Sequence, residues 1–240
     1  MNALQLRHFI SRTLRTSSLA TLLVLAGCGS SADLEGYSRI SCDNGVPALS
    51  ELAISPSPDF VELRSTNSPS EPTSGRTRTS SGQPCATATD VPACQTALAN
   101  ATTTESFVDT CQGVCPAVVT YTFLVTTRGD EVKTHPTPEA LKSLLGTVDT
   151  EQEAVLLAYA SGNAVSCETL EQGAVKKNAN GTFNVVTYEG DACADSGLEQ
   201  VVLEVSAAGE LREVERHVLE KGGDACKSSG SSVGPQTAAL

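Results

Sequence analysis

The chain has 240 residues, 16 basic against 28 acidic, with a formal charge of −12, no tryptophan and only 4% aromatic residues. That balance disfavours nucleic acid, whose binding needs Lys and Arg to neutralise phosphates, and it disfavours adhesion to anionic lipid for the same reason. With so few rings, a core has to come from Val, Leu and Ala, and covalent staples are expected to supplement it.

Residues 1–18 carry Arg7, His8, Arg12 and Arg15 without an acid, and Leu19 to Ala26 is a short apolar run followed by small residues. This is the layout of an export signal. The run is far shorter than the roughly 18–20 residues that cross a bilayer as a helix, so residues 1–27 are expected to be removed. The ending Leu25-Ala26-Gly27-Cys28 resembles the lipobox of bacterial lipoproteins. The resemblance implies a diacylglycerol thioether on Cys28, cleavage before it and acylation of the new amine. Several acyl chains make a lasting anchor where one is marginal. It also implies a lipid-anchored place in the cell envelope. Gly29 stands where an Asp often retains such proteins at the inner membrane, so the resemblance favours the outer membrane. The alternative is an ordinary signal peptide and a secreted product. Removal of residues 1–27 takes three arginines and no acid, leaving 213 residues with a formal charge of −15.

Residues 28–39 begin small and polar and are expected to tether the lipid to the first folded element, with a single domain over 40–226. Val61-Glu62-Leu63 reads as an early edge strand. Ser65 to Pro84 is almost wholly Ser, Thr, Pro, Gly and charge, which predicts a long disordered loop at about 65–84. Asp90 to Asn100 predicts a short helix. In Ala117 to Thr127, Val119, Tyr121, Phe123 and Val125 alternate with Thr120, Thr122 and Thr126, the pattern of a half-buried strand. Arg128-Gly129-Asp130 then turns the chain into Glu131 to Thr134, a hairpin; this tripeptide, which some animal adhesion receptors read, is taken here as a tight turn.

Two helices follow. Thr137-Pro138-Glu139 supplies an N-cap, an N1 proline and a first-turn acid, Leu141, Leu144 and Leu145 give the stripe, and Gly146 stops it. Thr150-Glu-Gln-Glu153 is a capping box, and Ala154 to Ala160 is apolar all round, which predicts burial on more than one side. Beyond Gly162 a meander is expected through Ala164–Cys167, Ala174–Lys177, Thr182–Tyr188, Leu198–Ser206 and Leu211–Leu219, with Gly or Asn in its turns. Glu210 to Arg216 also has charge pairs of an amphipathic helix, but the alternation favours a strand. The tail 227–240 is expected to be disordered. The sum is an α+β fold, an antiparallel meander with two short helices packed on one face.

Setting Cys28 aside leaves Cys42, Cys85, Cys94, Cys111, Cys115, Cys167, Cys193 and Cys226, an even number in an exported chain, hence up to four disulfides. Eight cysteines allow on the order of a hundred pairings, so spacing does not give connectivity. Two pairings are nonetheless suggested: Cys85 with Cys94 around Asp90-Val91-Pro92, and Cys193 with Cys226 at neighbouring strand ends. Cys111-Gln-Gly-Val-Cys115 has the spacing of a zinc pair, but no second pair or His-x3-His accompanies it. No metal or cofactor is expected, and the calcium loop pattern is missing.

After cleavage only His135 and His217 remain as candidate bases. No G-x-S-x-G elbow and no His-Glu-x-x-His is present, and no catalytic residue is assigned. Through Cys42-Asp-Asn-Gly-Val-Pro, Val61-Glu-Leu-Arg64 and Thr127-Arg-Gly-Asp-Glu-Val132 the mature part resembles the uncharacterised cysteine-containing lipoproteins of myxobacterial type, which supply no activity to carry over. The expected function is a non-enzymatic binding or structural module on the envelope, joined to the membrane through Cys28, with no nucleic acid and an unspecified protein partner. The alternatives are an envelope hydrolase with a site assembled from distant residues and an accessory subunit of an envelope machine.

Overall fold

A computed structural model describes residues 31–66, 76–107, 120–191 and 197–222. In chain order the elements are β1 (Ser38–Arg39), β2 (Cys42–Asp43), β3 (Val46–Pro47), β4 (Phe60–Thr66), β5 (Arg76–Gly82) and α1 (Val91–Ala99). They continue as β6 (Tyr121–Arg128), β7 (Glu131–His135), α2 (Pro138–Leu145), α3 (Glu151–Ala160), β8 (Ala174–Lys177), β9 (Phe183–Asp191), β10 (Gly197–Val205) and β11 (Leu211–Glu220). A five-stranded sheet runs β1-β8-β9-β10-β11 and a four-stranded sheet β5-β4-β6-β7, with β2 and β3 as a separate pair, all antiparallel.

The α+β class stands, but the architecture differs from a single meander carrying two helices on one face. The meander is β8 to β11; β4 to β7 form a second sheet, and there are three described helices. Helix α3 is the reason the two sheets share a core. Gln152 to Ala158 and Ala160 are all buried, and one apolar cluster joins Ala154 to Ala158 and Ala160 to Val61, Leu63 and Leu124 of the four-stranded sheet and to Phe183, Val185, Val201 and Leu203 of the five-stranded one. A helix apolar on every side needs neighbours on every side. Its start is set locally by the capping box of Thr150 and Glu153. Glu153, fully buried, also accepts from the backbone N–H of Ala53 at 2.8 Å, so the same carboxylate pins the distant segment between β3 and β4 against the helix start.

Helix α1, expected at Asp90 to Asn100, covers the opposite face of the four-stranded sheet, where Leu98 packs with Phe60, Phe123 and Val125. Strand β6 is therefore covered on both faces and not half-buried: Thr122, Thr126 and Thr127 are inside as well. Their hydroxyls make this tolerable because they are bonded. Thr122 pairs with Ser65 at 3.2 Å, Thr126 with His135 at 3.0 Å, and Thr127 accepts from the Cys85 N–H at 3.1 Å.

Three further expectations are corrected. The Val61-Glu62-Leu63 segment is no edge: β4 pairs with β5 on one side and β6 on the other. Part of the loop expected over 65–84 is strand β5, an edge whose backbone bonds β4 and whose Thr77 and Thr79 hydroxyls donate to Glu62 and Asp43. Ser and Thr need little apolar burial when a partner strand supplies the ladder. Residues 67–75 lie outside the described residues. The Ala164–Cys167 segment makes a single bridge from Ala164 to Tyr188 and no strand.

The tether expected over 28–39 is also packed from Ala32 onward. Ala32, Leu34 and Tyr37 lie on the face of the five-stranded sheet turned away from α3, with Ala174, Val186 and Val202. The Ala32 N–H donates to Gln200 Oε1 at 2.7 Å, and Gln200 Nε2 donates to Glu171 O at 2.7 Å. Lys176 Nζ donates to Glu35 O at 3.0 Å and lies over the Tyr37 ring. Ser38 and Arg39 then join the sheet beside β8.

Glu210 to Arg216 falls into a turn and the edge strand β11, not a helix. Two register shifts against β10 and a dense row of charge keep this long edge from recruiting another strand. Arg216 donates to Glu189, Glu199 and Glu213, tying β9, β10 and β11 together.

Two disulfides are present among the described residues. Cys85–Cys94 is the pairing expected around Asp90, and it fixes the first turn of α1; Cys42–Cys167 ties β2 to the loop after α3 across 125 positions. Cys28, Cys111, Cys115, Cys193 and Cys226, with the suggested Cys193–Cys226 bridge, the signal 1–27 and the tail 227–240, lie outside the described residues.

Candidate functional site

The β6–β7 hairpin opposes Arg128 to Glu131, Thr126 to Lys133 and Leu124 to His135, so these side chains share one face. Helix α2 and the Ser55-Pro56 loop close over that face and leave a cavity of about 400 Å³. Its mouth carries Arg128, Glu131 and Lys133, Ser143 comes from α2, and Thr126 and His135 are its buried end. Period-two spacing of Glu131, Lys133 and His135 was the sequence signal for this grouping. The helix and loop that make it concave come from elsewhere in the chain.

The turn itself is held tightly. The Gly129 N–H donates to Asp59 Oδ2 at 2.9 Å, and Gly129 takes φ of 56°, the left-handed region a tight hairpin turn requires. Asp130 accepts from the Asp90 N–H and the Thr89 hydroxyl, which hold its carboxyl below the usual range. Arg128 Nη2 donates to Pro56 O. Both charged ends of Arg128-Gly129-Asp130 are thus engaged within the fold, in keeping with a structural turn.

His135 is 3% exposed, and its Nε2 and Thr126 Oγ1 are 3.0 Å apart. Burial first, and then the charge of Lys133, push its pKa down to about 4. The ring is neutral at neutral pH and a weak base. A hydrolytic relay needs one ring nitrogen on a nucleophile and a carboxylate orienting the other. His135 has a buried threonine hydroxyl on one nitrogen and, among the described residues, no carboxylate bonded to it. His217 is the converse: its Nε2 pairs with Glu215 at 3.1 Å on the edge strand β11, with no hydroxyl bonded to it among the described residues. The two histidines are therefore in different sheets and neither assembles a relay. Among the described residues no cluster of three or more His, Cys, Asp or Glu could hold a metal ion, and the Cys111–Cys115 pair lies outside them.

No protein-family model, curated protein or solved structure matches this chain. The cavity's chemistry has to stand on its residues alone. Two cations, one carboxylate and several hydroxyls around a neutral imidazole can position a polar ligand by hydrogen bonds and charge. They supply no activated nucleophile.

The buried imidazole makes stability acid-sensitive. Its folded pKa of about 4 lies below the ordinary value of 6.5, so the unfolded chain takes the proton first as pH falls. Stability is intact above about pH 6.5 and lost between there and pH 4, by up to about 3 kcal/mol. In urea titrations at pH 7 and pH 4.5, His135→Gln, which keeps a hydrogen-bonding partner for Thr126 but does not titrate, is expected to remove most of that loss. An unchanged pH dependence in the variant would show that His135 is not its source.

Proposed function

We propose that the chain is exported, acylated on Cys28 and held at the cell envelope, with the outer membrane favoured by Gly29. Its folded body works there as a non-enzymatic binding or structural module that presents its surfaces to another envelope component. The observation that carries this reading is the pair of disulfides, one local and one joining positions 125 apart, beside the Leu25-Ala26-Gly27-Cys28 box. Disulfides persist in oxidising compartments and are rare in the cytosol, so bridges and box point to the same side of the membrane. The strongly acidic body offers no electrostatic hold on anionic lipid, which leaves the acyl chains to do the holding. The hydrolase alternative would need His135 or His217 in a relay, and their surroundings favour the binding reading over it.

Metabolic labelling with palmitate and cell fractionation test the proposal. The wild-type chain is expected to be labelled and to sediment with membranes, and Cys28→Ser to lose both properties while keeping its disulfides. A membrane-bound, unlabelled wild type, or a Cys28→Ser chain that still sediments, overturns it.

A further inference from the structure

Granting the acylated Cys28 just proposed, the packing of residues 32–39 has a geometric consequence. A tether running to residue 39 would reach about 40 Å and let the body turn freely. The fold instead grips the chain at Ala32, four residues after Cys28, by the hydrogen bond to the fully buried Gln200. Four residues span at most about 14 Å. That is less than the radius of gyration expected of a body this long, about 16 Å. The body can lean about Ala32, but its far side cannot reach the bilayer.

We propose that the outer face of the five-stranded sheet, at the segment Ala32–Tyr37, lies against the headgroups of the bilayer that holds the acyl chains. The order of layers then sets the orientation. Moving away from the lipid come the five-stranded sheet, α2 and α3, the four-stranded sheet and finally α1. Each layer adds about 10 Å, which places α1 roughly 30–40 Å farther out than Ala32. The face toward the lipid exposes Asp33, Glu35 and Glu171. Carboxylates there stay hydrated, so the surface rests on headgroups without inserting, and added salt does not release it. The side left open to an envelope partner is α1 and the four-stranded sheet.

The test uses the full acylated chain in phosphatidylcholine vesicles doped with a headgroup-labelled energy acceptor. A fluorescent non-natural residue is placed at the exposed Glu35 in one variant and at the exposed Gln95 of α1 in another. Transfer is expected to be severalfold stronger from position 35. Inserting about ten Gly-Ser residues between Ser30 and Ser31 is expected to abolish most of that contrast, because the lengthened tether exceeds the radius of the body. Equal transfer from the two positions in bound protein, or a contrast unaffected by the insertion, overturns the orientation and leaves acylation standing. Loss of vesicle binding in the wild type, or binding by Cys28→Ser, instead overturns acylation itself.

Discussion

Replacing Cys42 and Cys167 together with alanine is expected to lower the unfolding free energy by about 5 kcal/mol, against about 3 kcal/mol for Cys85 and Cys94. The difference follows from what each bridge removes from the unfolded chain. Cys42–Cys167 closes a loop of 125 positions and Cys85–Cys94 one of 9, and closure entropy grows with the logarithm of that length. Domains are stable by only about 5–15 kcal/mol, so the long bridge decides whether a thin, ring-poor core stays folded. Its location adds to this: it joins the β2 segment to the loop after α3, where the Gly173 backbone lies so close to Ser166 O that a Cβ would be 1.7 Å from it. Urea denaturation of the two double variants at pH 7 measures both losses. If the short bridge proves as costly as the long one, the entropic account fails and local packing at α1 must carry the effect.

What could be read from the sequence divides by the range of the interactions responsible. Helices α2 and α3 were legible because Thr137, Thr150, Glu153 and Gly146 act within a turn of where they stand. Strands β10 and β11 were legible through alternation and the Ala208-Gly209 turn. Cys85–Cys94 was legible because it spans a single turn-bearing loop. Strand β5 was not: its Ser and Thr carry no hydrophobic period, and it is a strand only because β4 is beside it. The segment 32–39 was misread for the same reason, since the group that orders it, Gln200, is 168 positions away. At the cavity, the hairpin face of Glu131, Lys133 and His135 was present in the spacing. The burial that lowers the pKa of His135 depends on α2 packing over it, which no local pattern announces.

The Val61-Glu-Leu-Arg64 segment hides the other large effect. Glu62 and Arg64, two apart on β4, lie on the α1 face, with side chains only 5% and 10% exposed. Arg64 donates to both Glu62 carboxylate oxygens, at 3.2 and 2.7 Å, and through Nη1 to the carbonyls of Leu98 and Ala101 where α1 ends. One guanidinium therefore neutralises a buried carboxylate and adds a second donor to the Leu98 carbonyl, which already takes the Ala101 N–H, while bonding the Ala101 carbonyl just past the helix. Arg64→Ala leaves Glu62 with the Thr77 hydroxyl as its remaining side-chain partner among the described residues, and should cost about 3–5 kcal/mol, because an uncompensated buried charge is worse than no charge. The pair itself is worth far less than that figure, since both groups surrender their hydration to form it. The double variant Glu62→Leu, Arg64→Met is accordingly expected to recover most of the loss, leaving about 1–2 kcal/mol for the lost bonds from Arg64 to the end of α1. A double-mutant cycle by urea denaturation separates the two contributions. If the double variant is as unstable as Arg64→Ala, the stranded carboxylate is not the cause, and the hold on Leu98 and Ala101 is what keeps α1 on the sheet.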